Sequence, residues 1–150
     1  MSFVVQKDAG IIPQVLSQIL DSCVNGVTLA DPDIEDMPIV YVNQAFLNMT
    51  GHTEEEVVGK NCRFLQGEDR DQEARFQLRQ AIDNSQPIEV TLRNYRKNGE
   101  LFHNRLALTP LFDTSGNLMY YLGVQYDVTD QVNAETEINR LSENLKALQK

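Results

Sequence analysis

The period of the apolar positions changes several times along the chain, and each change marks an element. Ile12, Val15, Leu16, Ile19, Leu20 and Cys23 recur at helical spacing, and Pro13 suits the first turn of that helix. Gly26 opens a short strand over 27–30 that ends at Asp31-Pro32, and a second strand covers 39–42. Two short helices follow, one over 45–49 stopped by Gly51 and one over 53–58. The second takes Thr53 as its N-cap and carries Glu54, Glu55 and Glu56 in its first turn. Residues 69–84 return to a helical pattern, with Ala74, Leu78, Ala81 and Ile82 on one stripe.

The second half alternates with period two. Ile88, Val90 and Leu92 interleave with Glu89, Thr91 and Arg93, which predicts a strand with one buried and one wet face. Asn98-Gly99 signals a hairpin, and the returning strand alternates Phe102, Leu106 and Leu108 with His103, Arg105 and Ala107. A turn at Asp113-Thr114-Ser115-Gly116 leads into a last strand over 118–128, apolar on both faces. Tyr121 and Gly123 fall on one side, Tyr120, Leu122, Val124 and Tyr126 on the other, so both sides need cover. That cover comes from a terminal helix or from a second copy of the chain. Ala134, Ile138, Leu141, Leu145 and Leu148 form a two-heptad seam on a C-terminal helix starting at Thr129 or Asp130, either of which can cap it. The order predicts an α+β domain: a five-stranded antiparallel sheet with short helices on one face. The organisation is an N-terminal helical extension (1–25), a core (26–128) and a C-terminal amphipathic helix (129–150).

Composition narrows the function. The chain has 150 residues, with Lys plus Arg at 13 against 22 for Asp plus Glu, a formal net charge of -9. Direct nucleic-acid or anionic-lipid binding is therefore not expected. No run of about 18 apolar residues exists, so no membrane span is expected. The N-terminal residues lack a basic leader and an apolar signal stretch, which predicts a cytoplasmic protein. Cys23 and Cys62 form no CxxC, and with His52 and His103 they have no zinc-ligand spacing.

Three features carry candidate chemistry. Cys62 lies beside Arg63 at the start of a short helical turn, a place suited to reactivity; a small buried apolar filler is the alternative. Four of the eight arginines (Arg63, Arg70, Arg75 and Arg79) fall within 17 residues. They form either a solvated face paired with Asp69, Asp71 and Glu73, or a fork of guanidinium groups gathering one phosphate. Asn94, Asn104 and Gln125 continue the inward-facing sets of three strands, and buried amides need partners. Three of them suggest a planar ligand with several donors and acceptors. Parity adds a constraint: Asn94 and Asn104 share a face only if the loop at Asn98-Gly99 has an odd count, as in a three-residue loop with a left-handed glycine.

The hexapeptide Asn61-Cys62-Arg63-Phe64-Leu65-Gln66 resembles the signature of LOV domains, the flavin-binding blue-light sensors of the PAS superfamily. The likeness runs from Gly26 to Val128 through Tyr41-Val42-Asn43-Gln44-Ala45-Phe46, Leu92-Arg93-Asn94-Tyr95, His103-Asn104 and Gly123-Val124-Gln125. With its terminal helices the chain is similar to the bacterial short LOV proteins of the pseudomonad type.

The resemblance implies a bound FMN and a reversible bond from Cys62 to flavin C4a after blue-light excitation. It implies that Asn94, Asn104 and Gln125 bond the ring edge, with Gln66 and Asn61 near the ring and ribityl chain. Arg63 and Arg79 match phosphate contacts; Arg70 and Arg75 match additional arginines of some short LOV proteins, associated with slow dark recovery. Thr28, Asn43, Leu65, Ile82, Leu92, Leu106, Leu108 and Gly123 would line the ring. Tyr121 stands where many members carry Phe, its hydroxyl needing a partner or facing solvent, and His103 where many carry Trp. Protonation of flavin N5 would reorient the Gln125 amide and bias helix packing or homodimer geometry. The expectation is a non-enzymatic photoreceptor that forms homodimers through its terminal helices and outer sheet face, its downstream effector unspecified. The alternatives are a PAS dimerisation module without photochemistry, and a flavoenzyme or thiol redox enzyme using Cys62.

Overall fold

The computed structural model describes residues 14–149, with side chains from Gln18 onward. The expected positions Ile12 and Pro13, and the side chains of Val15 and Leu16, lie outside it. Helix α1 (Gln14–Asp21) precedes strands β1 (Gly26–Ala30) and β2 (Ile39–Val42). Helices α2 (Gln44–Thr50) and α3 (Glu54–Val57), a 3₁₀ turn (Cys62–Gln66) and helix α4 (Glu73–Asp83) follow. Strands β3 (Ile88–Tyr95), β4 (Leu101–Phe112) and β5 (Leu118–Asp127) and helix α5 (Thr129–Leu148) complete the chain.

The strands form one sheet in the order β2-β1-β5-β4-β3, every pairing antiparallel. The register places Thr28 opposite Gly123 and Gly123 opposite Leu108, then Gln125 opposite Leu106 and Leu106 opposite Val90. These residues therefore share one face. Leu92, Leu106, Leu108 and Tyr121 pack there with Leu78 of α4, while Ile39, Val42, Phe46, Val57 and Leu65 form a second cluster among the helices. Local chemistry explains the short elements. Asn43 caps α2 by accepting the Phe46 N–H, Gly51 closes that helix at φ 76°, and Asn61 caps the 3₁₀ turn by accepting the Arg63 N–H.

The parity expectation holds. Arg96 N donates to Glu100 O at 2.9 Å, which leaves the three-residue loop Lys97-Asn98-Gly99, and Gly99 has φ 88°. Asn94 and Asn104 consequently meet on the inner face.

Three expectations need correction. The helix expected from residue 69 begins at Glu73, because the side chains ahead of it are engaged elsewhere. Asp69 takes the Arg93 guanidinium through both oxygens (2.7 and 2.8 Å) and the Tyr95 hydroxyl (2.6 Å). Gln72 accepts from Arg93 N at 2.8 Å and donates to Arg93 O at 3.0 Å and Asp69 O at 2.7 Å, lashing the segment to β3. Neither Thr129 nor Asp130 caps α5; the Asp127 carboxylate accepts the Thr129 N–H at 3.1 Å instead. Nor does α5 cover the sheet: it buries none of its side chains, and Ile138, Leu141, Leu145 and Leu148 stay exposed. Among the described residues no helix is long and apolar enough to cross a membrane, and no cluster of His, Cys, Asp and Glu has the makings of a metal site.

Candidate functional site

The loop before β2, the 3₁₀ turn and α4 leave a cavity of about 480 Å³ between them, within the range of small-molecule sites. Its wall is built by three segments: the 31–37 loop, the 3₁₀ turn and α4. The 3₁₀ turn supplies Cys62, half-buried at its first position, with Asn61, Arg63 and Gln66 beside it. Arg70, Arg75, Arg79, Leu78 and Ile82 complete the wall.

Burial pushes the Cys62 thiol up, and the neighbouring Arg63 charge pulls it down by less. Burial thus outweighs the adjacent arginine and favours the thiol form over the thiolate. Arg63 instead ends on the Asp36 carboxylate, which lowers the Asp36 pKa and raises that of Arg63.

The inner face holds the amides. Asn104 Nδ2 donates to Asn94 Oδ1 at 2.9 Å, and Gln125 Nε2 donates to Thr28 Oγ1 at 3.2 Å, all four residues being buried. These bonds leave Asn104 Oδ1 and Gln125 Oε1 without partners, together with Gln66 Oε1 and the Nε atoms of Arg70 and Arg75. Buried polar atoms normally find partners, so the three orphans on the cavity wall (Gln66, Arg70 and Arg75) and the two amide oxygens on the inner sheet face mark surfaces shaped for a polar ligand. Gly123 is required at this point: a Cβ there would lie 2.6 Å from Thr28 Oγ1 and 2.9 Å from Gln125 Nε2.

Some expected contacts have other employment. Asn43, fully buried, accepts from Val27 N (2.8 Å) and Phe46 N (3.1 Å), and donates to Leu20 O (2.8 Å) and Asn25 O (3.0 Å). Its amide fastens α1 and β1 to α2 and has no capacity left for a ligand. Leu65 packs into the helix-side cluster. The Tyr121 hydroxyl has its own partner, donating to Ile82 O at 3.0 Å and tying β5 to α4.

Comparison with known proteins decides the family. Residues 24–130 match the PAS domain family. The solved LOV domain of a blue-light activated histidine kinase from Erythrobacter litoralis is 45% identical, with a TM-score of 0.66; the match covers 70% of this chain and 96% of that one. The chain is a LOV domain of the PAS family.

Other relatives are longer proteins. A blue-light photoreceptor of Listeria innocua is 44% identical over 77% of this LOV domain, which spans 45% of that relative. A solved RNA-binding light-oxygen-voltage receptor has a TM-score of 0.82 at 31% identity, covering all of this chain and 43% of that one.

Two residues of this LOV domain's site escaped sequence reasoning. Asp36 reaches Arg63 from 27 residues away, and the signal for it was the unpaired charge of Arg63 next to a loop rich in acidic side chains. Gly26, read only as the start of a strand, gives the room that Gln125 occupies: a Cβ there would stand 3.3 Å from Gln125 Oε1.

Proposed function

We propose that this LOV domain is a blue-light photoreceptor that binds FMN and signals through its terminal helices and homodimer geometry. The observation that carries the reading is the meeting of Cys62 and four arginines on one cavity wall with orphaned amide oxygens nearby. A flavin suits this set. Its ring edge and ribityl hydroxyls offer donors to Asn104, Gln125 and Gln66, and a phosphate suits Arg63, Arg70, Arg75 and Arg79. When bound, the flavin supplies blue-light absorption and the ring carbon to which the Cys62 thiol adds reversibly.

The chain's own residues do the rest. Cys62 holds its proton until that addition, because burial disfavours the thiolate. Gln125 can present either end of its amide, and an exchange of ends alters its bond to Thr28 on β1. Gln125 lies two residues before Asp127, whose carboxylate holds the first turn of α5, so a shift of β5 is passed to that helix. The exposed seam of Ile138, Leu141, Leu145 and Leu148 is the surface a second copy would cover. The matched residues are those of a sensor, and no turnover is assigned to the chain.

The test is an absorption spectrum of the purified protein in the dark and after a blue flash, beside Cys62→Ala. The expected result is a yellow protein that bleaches and recovers in the dark, with Cys62→Ala remaining unbleached. Bleaching without Cys62 would indicate photoreduction and refute the thiol's role. A colourless protein that takes up no added FMN would leave a dimerisation module as the better account.

A further inference from the structure

We infer that Asp36 sets how strongly this site prefers a flavin carrying a phosphate monoester over one lacking it; the inference rests on the flavin reading above. Asp36 lies in the 31–37 loop at the cavity mouth, and its carboxylate receives the Arg63 guanidinium. Among the described residues Arg63 is the one arginine of the wall taken by a carboxylate; Arg70, Arg75 and Arg79 make no ion pair.

The loop is built to hold that carboxylate in place. Asp36 and Met37 are consecutive non-glycine residues in the left-handed region, at φ 67° and 44°. Asn61, whose oxygen caps the Cys62 turn, sends its Nδ2 to Asp36 O at 2.7 Å and Met37 O at 3.4 Å. Met37 N donates to Ile34 O at 3.0 Å. The backbone of Asp36 is thus fastened to the residue before Cys62, and its side chain to the residue after it.

A phosphate monoester that reaches Arg63 must share the guanidinium with Asp36 and meets its negative charge. The terminal hydroxyl of riboflavin, being neutral, meets neither obstacle. Asp33 and Glu35 line the same cavity, and both are unchanged in the comparison between Asp36 variants. Asp36 therefore acts on the phosphate preference and leaves binding of the ring unaffected. It is a specificity residue, and it lowers the preference that four arginines alone would create.

The test measures dissociation constants for FMN and riboflavin separately, by quenching of flavin fluorescence on flavin-stripped full-length protein. In Asp36→Asn, the ratio of the riboflavin constant to the FMN constant is expected to rise about fivefold, the scale of one like charge removed in a wet site. The riboflavin constant itself should hold steady, which also reports intact folding. Asp36→Glu should keep the wild-type ratio, and Asp36→Asn should have a smaller effect in an Arg63→Gln background, where only the charge repulsion is left to relieve. Equal changes for both flavins would make Asp36 a structural fastener and overturn the inference, as would a ratio that falls. Wild-type protein that binds both flavins with an indifferent ratio in every variant refutes this inference alone. Wild-type protein that binds neither refutes it together with the flavin reading.

Discussion

Gly123→Ala puts a single methyl group at the most crowded point of the inner sheet face. The added Cβ would sit 2.6 Å from Thr28 Oγ1, 2.9 Å from Gln125 Nε2 and 3.3 Å from Leu106 Cδ1. The first two contacts are closer than side-chain carbons tolerate, so something must move. Gln125 Nε2 is the far end of a flexible chain and yields cheaply. Thr28 is stiff at χ1, sits on β1 directly opposite Gly123, and is buried, so its hydroxyl carries most of the strain. Overpacking of this kind costs about 1–3 kcal/mol. The 3.2 Å bond from Gln125 to Thr28 breaks as well, at about 1 kcal/mol. The expected loss is therefore about 2–4 kcal/mol, read as a lower urea midpoint at unchanged slope. A double-mutant cycle localises the cause. Thr28→Ala removes the oxygen in the 2.6 Å contact, so the pair should be less destabilised than the sum of the singles, by about 1 kcal/mol or more. Additivity of the two changes, or a Gly123→Ala midpoint equal to wild type, would refute the packing argument.

Three further outcomes follow from the electrostatics and surfaces. The Arg93 guanidinium, with help from Tyr95, holds the Asp69 carboxyl down at about 2; Lys97 and His52 hold Glu56 at about 2. Both values lie below the unfolded ones, so their stabilisation is present above about pH 4.5 and fades as pH falls toward 2. Urea midpoints should be level from pH 7 to 5 and drop below 4, and Asp69→Asn should shrink the drop. At pH 8 a thiol reagent should label exposed Cys23 well before Cys62, whose thiol is pushed up by burial; mass spectrometry of Cys62→Ala should retain the fast phase. Leu145→Glu should leave the melting temperature within a degree or so, because α5 buries no side chain, yet reduce any dimer seen by light scattering.

Local patterning carried much of the fold. Alternation identified β3 and β4, short apolar runs bounded by turn residues identified the other three strands, and Asn98-Gly99 with the parity of Asn94 and Asn104 specified the hairpin. What was not legible depends on partners distant in the chain. Asp69 and Gln72 read as helix by composition, but Arg93 and Tyr95, more than 20 residues on, draw their side chains out of any first turn. Asn43 reads as a ligand contact until its backbone partners on α1, β1 and α2 are known. At the site, Cys62, the arginines and the amides were visible as unusual residue types in unusual places. The ionisation of Cys62 was not, since it depends on how much protein surrounds the sulfur and on Arg63 facing Asp36.

The two amide bonds between Gln72 and Arg93 bear on how copies of this chain can associate. A sheet ordinarily grows at its outermost strands, where unpaired N–H and C=O groups recruit another chain. On β3 the outward N–H and C=O of Arg93 are already taken by Gln72, and on β2 the N–H and C=O of Ile39 are taken by Lys60 and Gly59. Each edge strand is thus capped at one position by its own chain. A second copy cannot add a strand in register through those positions, which favours contact through the flat of the sheet or the projecting α5.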